Sequence, residues 1–255
     1  MRQRLDHELV RRNLAASREA AQRLVMAGRV RVNSRPANKA DLRVAADAPI
    51  EVIGGEREFA SRGAYKLEAA LDSFALAVAG RRALDVGAST GGFTDLLLQR
   101  GVAGVIAVDV GYGQLLERLR VDPRVTVMDR RNIRYITAEE LPYAPDLAVI
   151  DVSFISLKEV LTPVLGLCAR PADIVALIKP QFEVGRGRVG KGGVVRDEAA
   201  RAAALREVLD HAATLGLDCR GVIESPVAGA KGNREFLAWF AATSATADSR
   251  NRNPG

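Results

Sequence analysis

The chain has 255 residues, which is enough for one large domain or two unequal domains with a buried core. Its formal net charge of +6 favours an anionic partner. No apolar run of about eighteen residues occurs, and charged residues begin at Arg2, so we predict a cytoplasmic protein with no membrane partner. Cys168 and Cys219 are isolated in apolar surroundings, which is typical of core thiols in a reducing compartment.

The first 43 residues carry most of the positive charge, with eleven Arg or Lys against four acids. The apolar spacing predicts a helix over 3–14, followed by a helix that Ser17 caps and Gly28 closes. A short strand is predicted over 29–33, with valines on one face and arginines on the other. These elements predict a compact module with a basic face. An ordinary solvated surface rich in arginine is the alternative.

Two stretches of this module fit an RNA-binding pattern. Residues 4–6 read Arg-Leu-Asp, and residues 17–33 fit Ser-Arg-x-x-Ala-x-x-Leu-[Ile/Val]-x-x-Gly-x-Val-x-Val-Asn. The chain over about residues 3–53 therefore resembles the S4 RNA-binding domain. The resemblance implies that five arginines contact structured RNA, namely Arg4, Arg18, Arg23, Arg29 and Arg31. A closing strand is predicted over 50–53 and a linker after it, which assigns residues 1–58 to this domain.

The remaining chain alternates strands with helices after a first helix, which begins at Ser61 and is predicted to end at Ala79-Gly80. Strands are predicted over 83–87, 104–109, 124–128, 146–151 and 173–178, and helices near 92–100, 113–120, 137–141, 156–168 and 197–215. Continuous apolar strands are typical of a parallel sheet that is buried on both faces. Two last strands, over 219–224 and 235–242, are expected to pair antiparallel at one edge. The predicted fold class is α/β, a Rossmann-like sheet behind a small α+β domain, and residues 244–255 are predicted to be a disordered tail.

A glycine-rich turn follows the first strand of this sheet, with Asp85 two residues before Gly87. Such a turn lets backbone N–H groups approach a ligand closely. The spacing G-x-x-x-G-G fits the dinucleotide fingerprint poorly, and no G-x-x-x-x-G-K-[ST] loop is present. Asp109 ends the next strand, where an acid can accept hydrogen bonds from ribose hydroxyls. This combination favours S-adenosylmethionine, which needs no phosphate cradle; a tight turn without a ligand is the alternative.

Four ionisable residues fall at or near the ends of elements on the same edge: Lys66, Asp151, Lys179 and Glu235. In the strand order of ordinary methyltransferases, Asp151 and Lys179 flank the reactive end of the cofactor. A desolvated lysine beside a second cation has a lowered pKa and can act as a base that a nearby acid orients. A solvated strand end or a turn is the alternative for each residue taken alone.

Several segments together carry a second resemblance. Residues 61–67, 87–93, 109–114, 151–156 and 179–183 resemble the FtsJ-type 2'-O-ribose methyltransferases. The S4-like domain in front, the glycine-rich segment 184–195 and residues 231–236 narrow the resemblance to the TlyA family, whose members are also called haemolysins. The resemblance implies that residues 59–243 form an S-adenosylmethionine-dependent domain. Its expected substrate is a cytidine 2'-hydroxyl of 16S and/or 23S ribosomal RNA, free or in ribosomal subunits.

The resemblance also implies roles for particular residues. The family's Lys-Asp-Lys-Glu tetrad maps onto Lys66, Asp151, Lys179 and Glu235, with Lys179 as the base. The implied cofactor residues are Gly87, Ser89, Thr90 and Gly91 near the methionine portion, Asp109 at the ribose, and Asp129 and Asn132 near the adenine. Arg186, Arg188 and Lys191 either contact phosphates or lie in a flexible surface loop. The scheme requires no metal, and His7 and His211 are far apart in the sequence.

Three other functions are weighed against this one. A non-catalytic RNA-binding or ribosome-binding factor has no need of both lysines and both acids. A membrane-active haemolysin needs an amphipathic or apolar insertion segment, and none is visible. A base or N-methyltransferase usually carries an Asn/Asp-Pro-Pro-aromatic motif after the fourth strand, where this chain reads Asp151-Val-Ser-Phe.

Overall fold

The computed structural model of the protein describes residues 2–12, 14–15, 17–53, 59–185, 189–190 and 192–243. The linker 54–58, the cationic residues Arg186, Arg188 and Lys191, and the predicted tail 244–255 lie outside the described residues. The described strands form three sheets, of two, three and seven strands.

The N-terminal unit packs two helices against the two small sheets. Its elements are β1 (Arg2–Arg4), α1 (Leu5–Arg11), α2 (Arg18–Met26), β2 (Val30–Val32), β3 (Arg35–Pro36), β4 (Arg43–Ala45) and β5 (Ile50–Val52). Strand β1 pairs antiparallel with β4, and β2 lies between β3 and β5. Apolar residues at helical spacing, among them Leu5, Leu9, Leu24 and Val25, form the core of this unit.

The predicted helix over 3–14 is wrong at its start, because Arg2–Arg4 form a strand. These residues pair with a strand about forty positions further along the chain, and the Leu5 N–H donates to the Leu42 carbonyl at 2.8 Å. Helical periodicity cannot reveal such a non-local pairing. The predicted cap of the second helix is confirmed, since Ser17 Oγ accepts from the Ala20 N–H at 3.1 Å.

Helix α3 (Gly63–Ser73) opens the larger unit and ends well before the predicted Ala79-Gly80. The Leu76 N–H donates to the Leu71 carbonyl at 3.0 Å, and the intervening Ala75 has a φ of 50°. This is the hydrogen-bond pattern of a Schellman cap, in which glycine usually occupies the left-handed position. Because alanine occupies it here, the sequence carries no stop signal at this point.

A seven-stranded sheet forms the centre of the larger unit, with the order β11-β12-β10-β9-β6-β7-β8. The strands are β6 (Arg82–Val86), β7 (Gly104–Asp109), β8 (Val125–Asp129), β9 (Leu147–Ile150), β10 (Ala172–Ile178), β11 (Leu217–Glu224) and β12 (Phe236–Ala242). Strands β6 to β10 are parallel, and β12 runs antiparallel to both of its neighbours. The predicted Rossmann-like α/β fold class, with an antiparallel pair at one edge, is confirmed.

Helices pack on both faces of this sheet: α4 (Gly92–Gln99), α5 (Glu117–Arg120), α6 (Leu157–Leu167), α7 (Pro180–Glu183) and α8 (Glu198–Thr214). The apolar strands bury both of their faces, which divides the core into two clusters. The predicted helix over 137–141 is a single 3-10 turn, and the one over 113–120 is shortened to α5. In the part of the chain that the structure describes, no helix combines the length and apolarity that crossing a membrane requires.

Candidate active site

The carboxyl ends of β6, β9 and β10 lie side by side at one edge of the large sheet. Strand β12 begins at the same edge, because it runs antiparallel to β10. Gly87 and Asp151 directly follow paired residues of β6 and β9, while Lys179 and Glu235 flank the last pair of β10 and β12. The sheet therefore gathers residues that are far apart in sequence at one edge.

Two short ion pairs form at this edge. Lys66 Nζ lies 2.6 Å from Glu235 Oε2, and Lys179 Nζ lies 2.6 Å from Asp151 Oδ1. Lys179 also donates to Ser153 Oγ at 2.9 Å. The two lysines are only 8% and 9% exposed, and Glu235 is 2% exposed. Lysines this deeply buried are rare unless an acid accompanies them, so burial favours both pairings. Asp151 is the more accessible of the two acids, with 24% of its side chain exposed against 2% for Glu235.

Glu235 is held on its other oxygen as well. Gln181 Nε2 donates to Glu235 Oε1 at 3.2 Å. Gly229 packs so closely that a Cβ placed on it would lie 1.9 Å from the same oxygen. A side chain at this position would therefore have to displace the carboxylate that pairs with Lys66.

Two adjoining cavities lie at this edge of the sheet. The larger, of about 590 Å³, is lined by four of the predicted cofactor residues: Gly87, Ser89, Asp109 and Asn132. The smaller, of about 250 Å³, is lined by Gly87, Ser89, Thr90, Lys66 and Asp151 among others. The cavities share Gly87, Ser89 and Asp151, so the glycine-rich turn and one ion-paired acid border both of them. Lys66 lines the smaller cavity, whereas Lys179 and Glu235 lie outside both linings.

Asp109 ties the glycine-rich turn to the end of β7. Its carboxylate accepts from the Ser89 N–H at 2.8 Å and from the Gly111 N–H at 2.7 Å. Ser89 adopts a positive φ of 49°, and its hydroxyl contacts Gln114 Oε1 at 3.2 Å. Each carboxylate oxygen of Asp109 has a further lone pair, so the residue can accept more hydrogen bonds.

Two predicted cofactor residues lie outside both cavity linings. Gly91 begins α4 with a φ of 97°, and a Cβ on it would lie 2.3 Å from the side chain of Leu119. The close approach of α5 therefore explains this glycine. Asp129 accepts from Arg120 at 2.7 Å and from the Gly113 N–H at 3.1 Å, and it stabilises the loop after β7.

Asp85 has a completely buried carboxyl group in β6, two residues before Gly87. Burial raises its pKa to about 7, and the charges of Asp151 and Asp109 add to the rise. The hydroxyl of Thr94 donates to Asp85 Oδ2 at 2.7 Å and opposes the effect. The position of this acid in the glycine-rich motif is visible in the sequence. Its complete burial and its raised pKa are not.

Sequence reasoning missed two residues that follow Asp151. Ser153 is exposed and accepts from the buried Lys179. Phe154 is 91% exposed, has a φ of 66°, and places its ring 5.1 Å from that of Phe182. An aromatic side chain so exposed at the rim of a cavity is unusual. The only signal in the sequence was the position of both residues in a segment that resembles a catalytic one.

Four arginines of the N-terminal unit surround two buried acids. Asp6 is fully buried and accepts from Arg4 and Arg18, each at 3.0 Å. Arg4, together with Gln22 and Arg18, holds the pKa of Asp6 well below its usual range. Glu8 is equally buried and accepts from Arg11 at 2.6 Å and from Arg12 at 2.7 Å. Two of the five predicted RNA-binding arginines, Arg4 and Arg18, therefore also stabilise the fold.

The other three predicted RNA-binding arginines lie in different surroundings. Arg23 is half-buried on α2, and Arg31 is exposed on β2. Arg29 donates to the Ile53 carbonyl at 2.8 Å, and its guanidinium lies 5.4 Å from the centre of the Tyr65 ring in α3. Among the described residues, no three His, Cys, Asp or Glu side chains cluster in a way that could hold a metal ion.

Comparison with known proteins places this site in a family. Residues 59–242 match the FtsJ-like methyltransferase family, and residues 3–50 match the S4 domain. The chain is 52% identical over 240 residues to the 16S/23S rRNA (cytidine-2'-O)-methyltransferase TlyA of Mycobacterium tuberculosis, which covers 94% of this chain and 90% of that protein. The chain belongs to the TlyA family of FtsJ-like methyltransferases.

Other TlyA-family relatives carry a different name. Hemolysin A of Brachyspira hyodysenteriae is 39% identical over 243 residues, covering 93% of this chain and 99% of that protein. The solved structure of a hemolysin-named protein from Streptococcus thermophilus has a TM-score of 0.72 and 39% identity, covering 95% of this chain and 89% of that one. The predicted family, the S4 and FtsJ-like domains, and the prediction of a methyltransferase are confirmed.

Proposed function

We propose that this protein is an S-adenosylmethionine-dependent 2'-O-methyltransferase that acts on a cytidine of ribosomal RNA, in the 16S or 23S molecule or in both. The observation that supports it best is the pair of buried lysines, each 2.6 Å from a carboxylate. Lys66 and Asp151 line the smaller cavity, and Asp151 also lines the larger one. The relative from Mycobacterium tuberculosis, named as a cytidine-2'-O-methyltransferase, supports the choice of substrate. An rRNA substrate further implies a cytoplasmic location.

The residues around the larger cavity fit S-adenosylmethionine. Asp109 offers carboxylate lone pairs of the kind that ribose hydroxyls need, and Asn132 offers an amide for a purine edge. Gly87, Ser89 and Thr90 line the space between Asp109 and the ion pairs, which suits the methionine portion. When bound, the cofactor supplies an electrophilic methyl group on a sulfonium centre.

The chain's own residues then act on the ribose. The neutral amine form of Lys179, its own proton lost beforehand, accepts the proton of the 2'-hydroxyl, which makes the oxygen nucleophilic. Lys66 stabilises the negative charge that develops on this oxygen. Asp151 and Glu235 hold the two lysines at fixed positions, and Ser153 orients Lys179 further. Positioning and electrostatics supply most of the rate in such a scheme.

The N-terminal unit would bring RNA to this site. It carries the S4 match and most of the chain's excess positive charge, which suits a structured RNA partner. We propose residues 1–58 as this RNA-binding domain and 59–243 as the methyltransferase domain. No metal takes part in the proposed reaction, because a lysine provides the base.

The first experiment measures transfer of labelled methyl groups from S-adenosylmethionine to purified ribosomal subunits and to free rRNA. It compares the wild type with Lys179→Met and with a matched control, Lys158→Met. Lys158 pairs with Glu207 at 3.0 Å and is in neither cavity lining, so its loss tests removal of a lysine as such. We expect alkali-resistant label at one dinucleotide, lost only in Lys179→Met.

The same experiment separates the alternatives. Label that is alkali-labile or lies on a base would indicate a different methyl acceptor. Cofactor binding without transfer to either subunit would favour the non-catalytic RNA-binding or ribosome-binding factor. Equal losses in both lysine variants would argue against Lys179 as the base.

A further inference from the structure

Asn233 is a buried amide outside both cavity linings, yet it connects two segments near the site. It is only 3% exposed. Its Oδ1 accepts from the Val195 N–H at 3.1 Å, and its Nδ2 donates to the Gly193 carbonyl at 2.9 Å. Its own backbone carbonyl accepts from the Gly229 N–H at 2.8 Å. One residue therefore ties the chain at 193–195 to the turn that precedes β12.

Glu235 packs against that turn. Gly229 lies so close to Glu235 Oε1 that a Cβ on it would be 1.9 Å away. The carboxylate then points Oε2 at Lys66 Nζ, 2.6 Å distant. A chain of direct contacts thus runs from Asn233 through Gly229 to Glu235 and Lys66, and none of its links depends on solvent.

We propose that Asn233 is a positioning residue for methyl transfer. Its side chain anchors its own backbone to residues 193–195, and the anchored backbone carbonyl holds Gly229 and thereby the orientation of Glu235 toward Lys66. The inference rests on the proposed function, in which Lys66 stabilises the developing alkoxide. Misplacing a reacting group by about 1 Å can lower a rate by about a hundredfold, so a turn that is free to shift is costly. Asn233 contributes no atom to the reaction itself.

Arg201 provides a matched control for this proposal. It is buried to a similar degree and anchors the same segment from the other side, with Nη1 donating to the Val195 and Arg196 carbonyls at 3.2 and 2.7 Å. Among the described residues, no hydrogen bond or ion pair joins Arg201 to the Gly229 turn. If the methyl-transfer rate depends only on how firmly residues 193–196 are held, Arg201→Gln and Asn233→Ala should lower it equally. If it depends on the position of Glu235, only Asn233→Ala should lower it.

The test is a double-mutant cycle on the full-length chain, with single-turnover methyl transfer to rRNA at saturating cofactor. We expect Asn233→Ala to lower the rate at least about tenfold, with cofactor affinity unchanged and Arg201→Gln within about threefold of wild type. In a Glu235→Gln background, the same Asn233→Ala change should lower the rate by less than about threefold, because its effect passes through Glu235.

Three results would overturn the inference: wild-type rates in Asn233→Ala, equal losses in Arg201→Gln, or the same factor in both backgrounds. If Glu235→Gln is too slow to measure, the pH–rate profile decides, since only Asn233→Ala should displace it. If Asn233→Ala does not fold, Asn233→Asp replaces it, because Asp keeps the acceptor for Val195 and loses the donor to Gly193. An inactive wild type would refute the proposed function itself, whereas an active wild type with an unaffected variant refutes only the role of Asn233.

Discussion

Replacing Asp85 by Asn should change how the stability of the protein depends on pH. The Asp85 carboxyl group has no solvent exposure, and burial raises its pKa from an ordinary 3.8 to about 7. Its Oδ1 has no hydrogen-bond partner among the described residues, so no donor stabilises a negative charge on that oxygen. Asparagine has nearly the same shape and keeps an acceptor for Thr94, but it cannot ionise.

The sign and size of the effect follow from proton linkage. Because the folded pKa lies above the unfolded one, the contribution of Asp85 to stability is fully present below about pH 4 and is lost as the pH rises through about 7. Between about pH 5 and pH 6 the unfolded chain has released this proton and the folded chain has kept it, so the free energy of unfolding should fall by about 1.4 kcal/mol per pH unit. The slope decreases as the folded group ionises, which gives a fall of about 2.3 kcal/mol from pH 5 to pH 7 and about 2.7 kcal/mol once the folded group is fully ionised.

Urea unfolding at pH 5, 6, 7 and 8 and constant ionic strength measures this effect. All other titrating groups are common to both proteins, so the difference between Asp85→Asn and wild type isolates Asp85. We expect that difference to move by about 2.7 kcal/mol in favour of the variant as the pH rises from 5, and to level off near pH 8. A difference that stays constant across the series would refute the assignment of a raised pKa to this group.

Three further changes test the site and the N-terminal unit. Gly229→Ala should lower the single-turnover rate of methyl transfer at least about tenfold, because the new methyl displaces Glu235. Gly166→Ala is the control and should leave that rate unchanged, because no neighbouring side chain among the described residues lies within 4 Å of its new methyl. Phe154→Ala removes a 91% exposed ring, so the free energy of unfolding should change by less than about 0.5 kcal/mol. If the ring stacks on a base of the RNA, methyl transfer to rRNA should fall about tenfold, and an unchanged transfer rate would contradict that stacking. Asp6→Asn releases the partly exposed guanidiniums of Arg4 and Arg18, so the free energy of unfolding in urea should fall by about 1 kcal/mol and RNA retention on filters should weaken. If neither value changes, Asp6 does not organise these two arginines.

The large sheet could be predicted from the sequence because its signals are local. Each parallel strand is a short continuous apolar run with glycines or polar residues at its ends, and this pattern survives without tertiary information. The elements that were mispredicted lack such a local signal in the sequence. Strand β1 exists only because β4 pairs with it, and α3 ends at a Schellman cap in which Ala75 occupies the usual glycine position.

The candidate site could be predicted as a set of residues but not as a geometry. Strand ends and the family resemblance pointed to two lysines and two acids. Which acid pairs with which lysine depends on β12 running antiparallel beside β10, and the sequence does not specify that register. Asp109 and Asp129 show the same limit, since they pair directly across β7 and β8 yet only Asp109 borders the cavity. The two residues differ because Asp129 forms an ion pair with Arg120 at 2.7 Å.

The basic N-terminal unit shows why a charge count is a poor guide to an RNA surface. Four of its arginines each contact one of two fully buried carboxylates, and Arg12 also donates to the Ala46 and Ala48 carbonyls at 2.7 and 2.8 Å. A guanidinium held in this way has less freedom to reach a phosphate, but it is already ordered and loses less entropy on binding. The salt dependence of RNA binding reports the phosphates that are actually neutralised rather than the number of arginines. Under the proposed RNA-binding role of this unit, the buried acids Asp6 and Glu8 would act by fixing where the arginines point, although neither acid could itself attract a phosphate.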